Sequence, residues 1–318
     1  MKILFSDYGS CLMKGYRNIL VILNAEGYNK QALEKALFLA KFDKDVKVTV
    51  FLSVFDFSLE LTSFFDFAER EKMLQAIVDA KNNDLEQAIK EQNIENPNIA
   101  TKVVWARNQV KAVEREVKIG KYDLIIKAAN AEDDTWTSFF ITPVDWQLLR
   151  KVELPVFLVK DQEWKENKIL LLAVCSINQK ITNRINTMLL REAQIVAMLT
   201  NSTIHLVNTV PIPALNITAD IPGIVPDYYN EAVHQRHEEQ LHEFAKNHNI
   251  PLENTHVIDG LPDDVIPTLA KNLDVNAVMM GSVGRDGFTG SVVGNTAELI
   301  IDDVKCDLIV LKTPIIND

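Results

Sequence analysis

Residues 277–311 read AVMMGSVGRDGFTGSVVGNTAELIIDDVKCDLIVL. An apolar run (Ala277–Met280) leads into a glycine-rich stretch, then a helical pattern (Thr296–Val304), then a second apolar run (Asp307–Leu311). Residues 123–159, DLIIKAANAEDDTWTSFFITPVDWQLLRKVELPVFLV, keep that order without the glycines. Asp123–Lys127 and Pro155–Val159 are the apolar runs, and Pro143–Arg150 is the helical pattern between them. Short apolar runs bounded by turn residues and separated by helices are strands covered on both faces.

Working outward, the same alternation fills the chain. The first half gives strands at Ile19–Leu23, Val46–Val54 and Ile99–Trp105. Its helices are Asn29–Phe42, Ala68–Gln92 and Gln109–Ile119. Spacing turns Leu33, Leu37, Phe38 and Ala40 inward on the first, and Met73, Ile77, Leu85 and Ile89 on the second. The second half gives strands at Ile169–Val174, Thr203–Val210 and Thr255–Ile258, with helices at Asn186–Leu199, Asp227–His248 and Asp263–Leu273. Matching elements are offset by about 151 to 156 positions, the signature of two copies of one unit. The expected organisation is a loose tail at 1–15, one unit at 16–160 and a second at 161–318. The expected fold is α/β: two tandem, doubly wound, flavodoxin-like units with five parallel strands each. Ligands of such sheets bind outside the carboxyl ends of the strands, at the switch point.

Composition bounds the function. The 318 residues exceed what one hydrophobic core usually serves. Net charge is −11, which argues against nucleic-acid backbones and anionic membranes as partners. That charge is uneven. Residues 1–160 hold 22 basic and 23 acidic side chains; the remainder hold 11 and 21, a net of −10, together with all six histidines. Three cysteines without metal-ligand spacing fit a reducing cytoplasm. No apolar run is long enough to span a bilayer. The first residues lack the apolar core of a signal peptide, and a second Met-Lys pair at Met13 offers an alternative start.

Five of the eleven glycines (Gly281, Gly284, Gly287, Gly290, Gly294) fall inside fourteen residues. A glycine at a strand end lets the backbone pass close to a ligand, and one at the head of the next helix leaves N–H groups facing outward. Together they make a phosphate cradle, with Arg285 able to neutralise a terminal phosphate and Asp286 opposing it. The pattern GxxxxGK[ST] of a P-loop is absent.

Gly-x2-Gly-x9-Gly, present as Gly281, Gly284 and Gly294 with Asn295 following, resembles the nucleotide loop of the universal stress protein family. Gly260-x-Pro262 ahead of a helix with Ile266 and Ala270, and TPVDWQLLRKVELPVFLVKDQ closing the first half, extend the resemblance over about residues 16–313, in the manner of the tandem two-domain class. The resemblance implies units of the adenine nucleotide alpha hydrolase-like kind that pair through their last strands, here Pro155–Val159 and Asp307–Leu311. It also implies stress and DNA-damage survival as the physiological role. The matching nucleotide pocket comprises Val174, Cys175, Val210, Met280, Gly281, Gly284, Arg285, Gly294 and Asn295, with ATP the expected cofactor if there is one. Two departures stand out. The aspartate that follows the first strand in nucleotide-binding members is Asn24 in one half and Cys175 in the other, read here as a buried thiol. The first half carries Ala128, Ala131 and Thr142 at the glycine positions, and Pro143 removes a donor at the helix head, so that half has lost the cradle.

A competing site lies in PIPALNITADIPGIVPDYY, Pro211–Tyr229. Ile212, Leu215, Ile217, Ile221, Ile224 and Tyr228 would form a lid over an apolar ligand. Its first-half counterpart, FDFSLELTSFFDF (Phe55–Phe67), reads as core or inter-domain packing. His234, His237 and His242 share a strongly charged helix and read as a solvated face rather than a metal site. No nucleophile, metal or paired-carboxylate motif appears. The expected protein is therefore non-enzymatic. A small molecule, ATP or an apolar ligand, would order a surface that an unknown protein partner reads; a slow ATPase is the remaining alternative. The two halves would form an intramolecular pseudo-dimer, with a homodimer left open.

Overall fold

The structure is a computed structural model that describes residues 15–24, 30–41, 45–60, 66–91, 98–131, 139–140, 142–160, 164–175, 180–211, 226–282 and 300–312. In the first half the order is β1 (Asn18–Leu23), α1 (Lys30–Ala40), β2 (Lys47–Val54), a short α2 (Phe57–Glu60), α3 (Phe67–Glu91), β3 (Ile99–Trp105) and α4 (Gln109–Gly120). There follow β4 (Leu124–Ala128), the two-residue strands β5 (Asn130–Ala131) and β6 (Phe139–Phe140), α5 (Pro143–Lys151) and β7 (Val156–Val159). The second half continues with β8 (Ile169–Ala173), α6 (Lys180–Thr200), β9 (Thr203–Val210), α7 (Pro226–Asn247), a 3-10 turn (Leu252–Asn254) and β10 (Thr255–Asp259). It ends with α8 (Pro262–Asn272), β11 (Ala277–Gly281), helical residues 300–303 and β12 (Asp307–Leu311).

Ten strands form one sheet, ordered β10-β9-β8-β11-β12-β7-β4-β1-β2-β3. Within each unit the order is therefore 3-2-1-4-5, and the direction of winding reverses between the first and fourth strands. Flavodoxin itself runs 2-1-3-4-5 and obeys the same switch-point rule. Every neighbouring pair in this sheet is parallel except β7 and β12, which run antiparallel with Ile309 opposite Phe157. The two last strands thus meet, and a single seam joins the units.

The central strands are largely apolar and buried because helices cover both faces. One core gathers Leu33 and Leu39 of α1, Leu85 of α3, Leu190 and Ala193 of α6, and Leu241 and Ala245 of α7. The other gathers Val113 of α4, Leu148 and Leu149 of α5, Ile266 of α8, and Ile300 and Ile301. Both cores run through both units, so the seam interrupts neither.

Two helical faces differ from expectation. On α3 only Leu85 is buried, while Met73, Ile77 and Ile89 are half-buried. A helix of 25 residues is about 37 Å long and overhangs strands of roughly half that length. On α1 the buried side includes Lys35, whereas Leu37 and Phe38 are half-buried. Lys35 turns inward because its ammonium meets Asp307 of the other unit at 2.9 Å.

That contact centres a buried polar node on the seam. Asp307 also accepts the Lys160 main-chain N–H at 2.7 Å and the Trp164 indole N–H at 2.6 Å, and Lys35 Nζ lies 4.8 Å from the centre of the Trp164 ring. Burial pushes Asp307 up to about 6, with Lys35 and the donated hydrogen bonds opposing that rise. The lysine side chains that follow the two last strands cross the seam reciprocally. Lys160 Nζ donates to the carbonyls of Ile301 (2.9 Å) and Val304, and Lys312 Nζ donates to that of Arg150 at 2.8 Å. Each ammonium caps the carboxyl end of the other unit's final helix, where the macrodipole favours positive charge.

Candidate functional site

The switch point of the second unit lies between β8 and β11. Met279 stands opposite Leu172, so two residues on, Gly281 reaches the level of Val174. Val174 is buried, and its N–H donates to Val207 on β9 at 3.0 Å. Its carbonyl accepts from the Asn208 side-chain amide at 2.7 Å. The next residue is held from the helix side. Asn186 on α6 donates to the Cys175 carbonyl at 2.6 Å and accepts the Cys175 N–H at 3.2 Å. Two buried asparagines therefore fix the backbone where the chain leaves the sheet, and each such bond contributes about 1 kcal/mol. Asn208 is held in turn, since its Oδ1 meets His237 Nδ1 of α7 at 2.7 Å.

Val210 and Met280 are buried at the ends of their strands, and Gly281 is half-buried. The Ser282 N–H extends the β11–β12 ladder by donating to Leu311 at 2.8 Å. The carboxyl edge thus carries five of the nine expected pocket residues: Val174 and Cys175 just past β8, Val210 at the end of β9, and Met280 and Gly281 at the end of β11. Gly284, Arg285, Gly294 and Asn295 lie outside the described residues, as do Ile212, Leu215, Ile217, Ile221 and Ile224. Tyr228 falls in the first turn of α7.

Cys175 is half-buried rather than buried. It lines a cleft of about 220 Å³ between α6 and α7, together with Val174, Asn183, Gln240, Phe244 and His248. The exposure follows from its place two residues beyond β8, at the mouth of that cleft. Phe57 and Phe67 also differ from the core packing expected of them. They are 54% and 78% exposed, and Arg107 lies over the rings of Phe55 and Phe57 at about 6 Å. The residues Phe55–Glu60 sit past the carboxyl end of β2, beyond the reach of either core.

The first unit is built differently at the equivalent place. Lys127, the last residue but one of β4, is 1% exposed and its ammonium meets Asp145 Oδ1 at 2.7 Å. Asp145 sits in the first turn of α5, and its Oδ2 accepts both the Thr142 N–H (2.8 Å) and the Thr142 hydroxyl (2.7 Å). The sequence reading of this place, with Ala128, Ala131 and Thr142 at the glycine positions and Pro143 at the helix head, does not include the Lys127–Asp145 pair. The signal was present in Thr142-Pro-Val-Asp145, an N-cap with proline at the first helical position and an acid at the third, and in the lysine ending the apolar run DLIIK.

His234, His237 and His242 are half-buried, each beside exposed residues of the same helix, and the first two carry side-chain contacts. His234 Nδ1 lies 2.7 Å from Asp259 on β10, alongside the contact from His237 to Asn208. His205 Nδ1 lies 3.0 Å from His256 Nε2 across β9 and β10, and burial lowers the pKa of both rings. Among the described residues no three His, Cys, Asp or Glu side chains converge to hold a metal, and no helix is long and apolar enough to cross a membrane.

Comparison with known proteins places this arrangement. A model of the "Universal stress protein family" matches residues 15–160 and 187–312. The second match begins after β8, so the structure supplies the first strand of that unit independently. Universal stress protein E of Escherichia coli (strain K12) is 35% identical over 302 residues, covering 94% of this chain and 95% of that one. The universal stress protein E homolog of Haemophilus influenzae is 32% identical, covering 93% and 97%. Among solved structures, a functionally unknown protein from Pseudomonas aeruginosa PAO1 superposes with a TM-score of 0.71 at 24% identity, over 94% of each chain. A universal stress protein from Archaeoglobus fulgidus gives 0.58 at 17% identity, over 94% and 97%.

Proposed function

The chain belongs to the universal stress protein family, and from that premise we propose that it is a non-enzymatic, cytoplasmic stress-response protein whose second unit binds a small ligand, ATP or a related adenine nucleotide. The observation that carries this reading is the difference between the two fourth strands. β11 ends in Gly281 beside Val174 at the switch point, whereas the equivalent place after β4 is filled by a buried Lys127–Asp145 pair. Val174, Cys175, Val210 and Met280 would line the base side; Gly281, Gly284, Gly294 and Asn295 would take the phosphates on main-chain N–H groups, with Arg285 beside the terminal one. The bound ligand would order a surface that a protein partner reads in stress and DNA-damage survival. The first unit serves as the fused partner in an intramolecular pseudo-dimer.

Native mass spectrometry of the purified chain tests this. One adenine nucleotide per chain, lost in Gly284→Val because a Cβ there blocks the phosphates, supports it. A lipid-like adduct instead would shift the reading to the apolar-ligand carrier with Ile212–Tyr228 as its lid. Hydrolysis above background that G284V removes would make the protein a slow ATPase. A mass of twice the chain would add a homodimer.

A further inference from the structure

We propose that the first unit has an oxyanion site of its own, formed by Lys127 and the head of α5, and that the chain fills it with the carboxylate of Asp145. The proposal concerns the first unit alone and does not depend on what the second unit binds.

The donor set is that of a bound phosphate or carboxylate. A main-chain N–H at a helix head, a hydroxyl and an ammonium converge on one carboxylate: Thr142 N at 2.8 Å, Thr142 Oγ1 at 2.7 Å and Lys127 Nζ at 2.7 Å. They come from two elements, because Lys127 belongs to β4 and reaches the helix from the sheet. A capping box is complete with the N-cap and third-position residues and needs no lysine. Here Lys127 and Asp145 have side-chain exposures of 1% and 0%. The Lys127–Asp145 contact is ionic rather than an aligned hydrogen bond, so Oδ1 is held by charge alone.

Packing does not require a charge here. Met280, also the last residue but one of its strand, occupies the corresponding position in β11 and is 3% exposed. An apolar side chain therefore fits this place in the fold, and a buried ion pair seldom adds stability over well-packed apolar residues. The pair is accounted for if the lysine and helix head are an anion site and Asp145 is its resident anion. The side chain stands at the carboxyl edge of the fourth strand, where a doubly wound sheet takes its ligands.

The test is Asp145→Ala in the full-length chain, with inorganic phosphate and acetate as probes and chloride at equal ionic strength as control. Phosphate or acetate should raise the unfolding midpoint of D145A; at ten times its dissociation constant the folding equilibrium shifts about elevenfold. The wild type should show a smaller shift, limited to whatever its second unit binds. Lys127→Met combined with D145A should lose the gain. Insensitivity of D145A to both anions, or an equal gain in the double variant, would overturn the proposal. If D145A fails to purify, Asp145→Ser removes the carboxylate and keeps a polar group in the first turn. The same gain is then required of it, and its absence has the same force. Binding of nucleotide by the second unit, or its failure to bind, leaves the difference between D145A and wild type unchanged.

Discussion

The two units share a strand order and differ where a ligand would sit. At the end of β4 the first unit carries a buried lysine paired with a buried carboxylate in the first turn of a capped helix. In the second unit β11 ends in a methionine and a glycine instead. The first strands differ as well. In the first unit the Leu23 carbonyl is held by Gln109 of α4 at 3.1 Å, from one face of the sheet. In the second, Asn186 of α6 holds Cys175 from the other face. Duplication thus preserves what the cores need and leaves the carboxyl edge to diverge, since loops there carry little of the buried apolar contact.

Breaking the closed site should have the largest effect. Lys127→Ala strands a buried carboxylate and is expected to cost about 3–5 kcal/mol in denaturant unfolding. Lys127→Met, which gives β4 the residue type of Met280, combined with Asp145→Leu should recover most of that loss. A double variant as unstable as K127A would show that the units are not interchangeable here.

The seam comes next. Asp307→Asn keeps an acceptor for the Lys160 N–H but turns an amide N–H₂ toward the Lys35 ammonium and the Trp164 indole N–H, which lose theirs, and should cost about 2 kcal/mol. Burial raises the pKa of Asp307 to about 6, above its ordinary value of 3.8, so folding favours the protonated form. Its contribution to stability is complete below about pH 4 and is lost as pH rises through about 6. D307N should flatten that part of the stability profile.

Asn186→Ala should cost about 1–2 kcal/mol, because the Cys175 carbonyl and N–H lose their partner. Gln109→Ala, the first-unit counterpart, removes a single bond and should cost less. Equal costs would mean that the two strand ends are held alike.

The smallest effect is expected at the outer edge of the second unit. His205 and His256 have pKa values lowered by burial from 6.5, so their contribution is present above pH 6.5 and fades as pH falls below it. Protection factors of the β10 amides, with the intrinsic base-catalysed rate divided out, should fall between pH 7 and pH 5.5 in wild type, and His256→Gln should show little such change. An edge equally protected at both pH values would rule the pair out as the cause.

Much of this architecture was legible in the chain. Thr203–Val210 and Asp307–Leu311 were placed residue for residue, because apolar runs bounded by turns mark buried strands. The inward turn of Lys35 was not legible, because its partner Asp307 lies 272 positions away and a lysine reads as exposed until a carboxylate is brought to it. The β5–β6 hairpin was missed for a different reason, since two-residue strands carry no periodicity. Of the candidate site, the strand-end residues were found from order and spacing. The asparagines that hold them were not, since an amide that serves another residue's backbone looks like any other polar residue in a helix or strand.

The antiparallel seam has a consequence for synthesis. β12 follows every other described strand in the chain, yet it lies in the middle of the sheet between β11 and β7. Until it emerges, β7 and β11 each present an open edge, and open edges invite pairing with other chains. A chain interrupted before residue 307 would therefore expose two sticky edges at its centre. One carried through residue 311 closes both in a single step. The position of one strand makes completeness of this segment a condition of solubility, and gives a cell's proteases a ready means of telling a stalled product from a finished one.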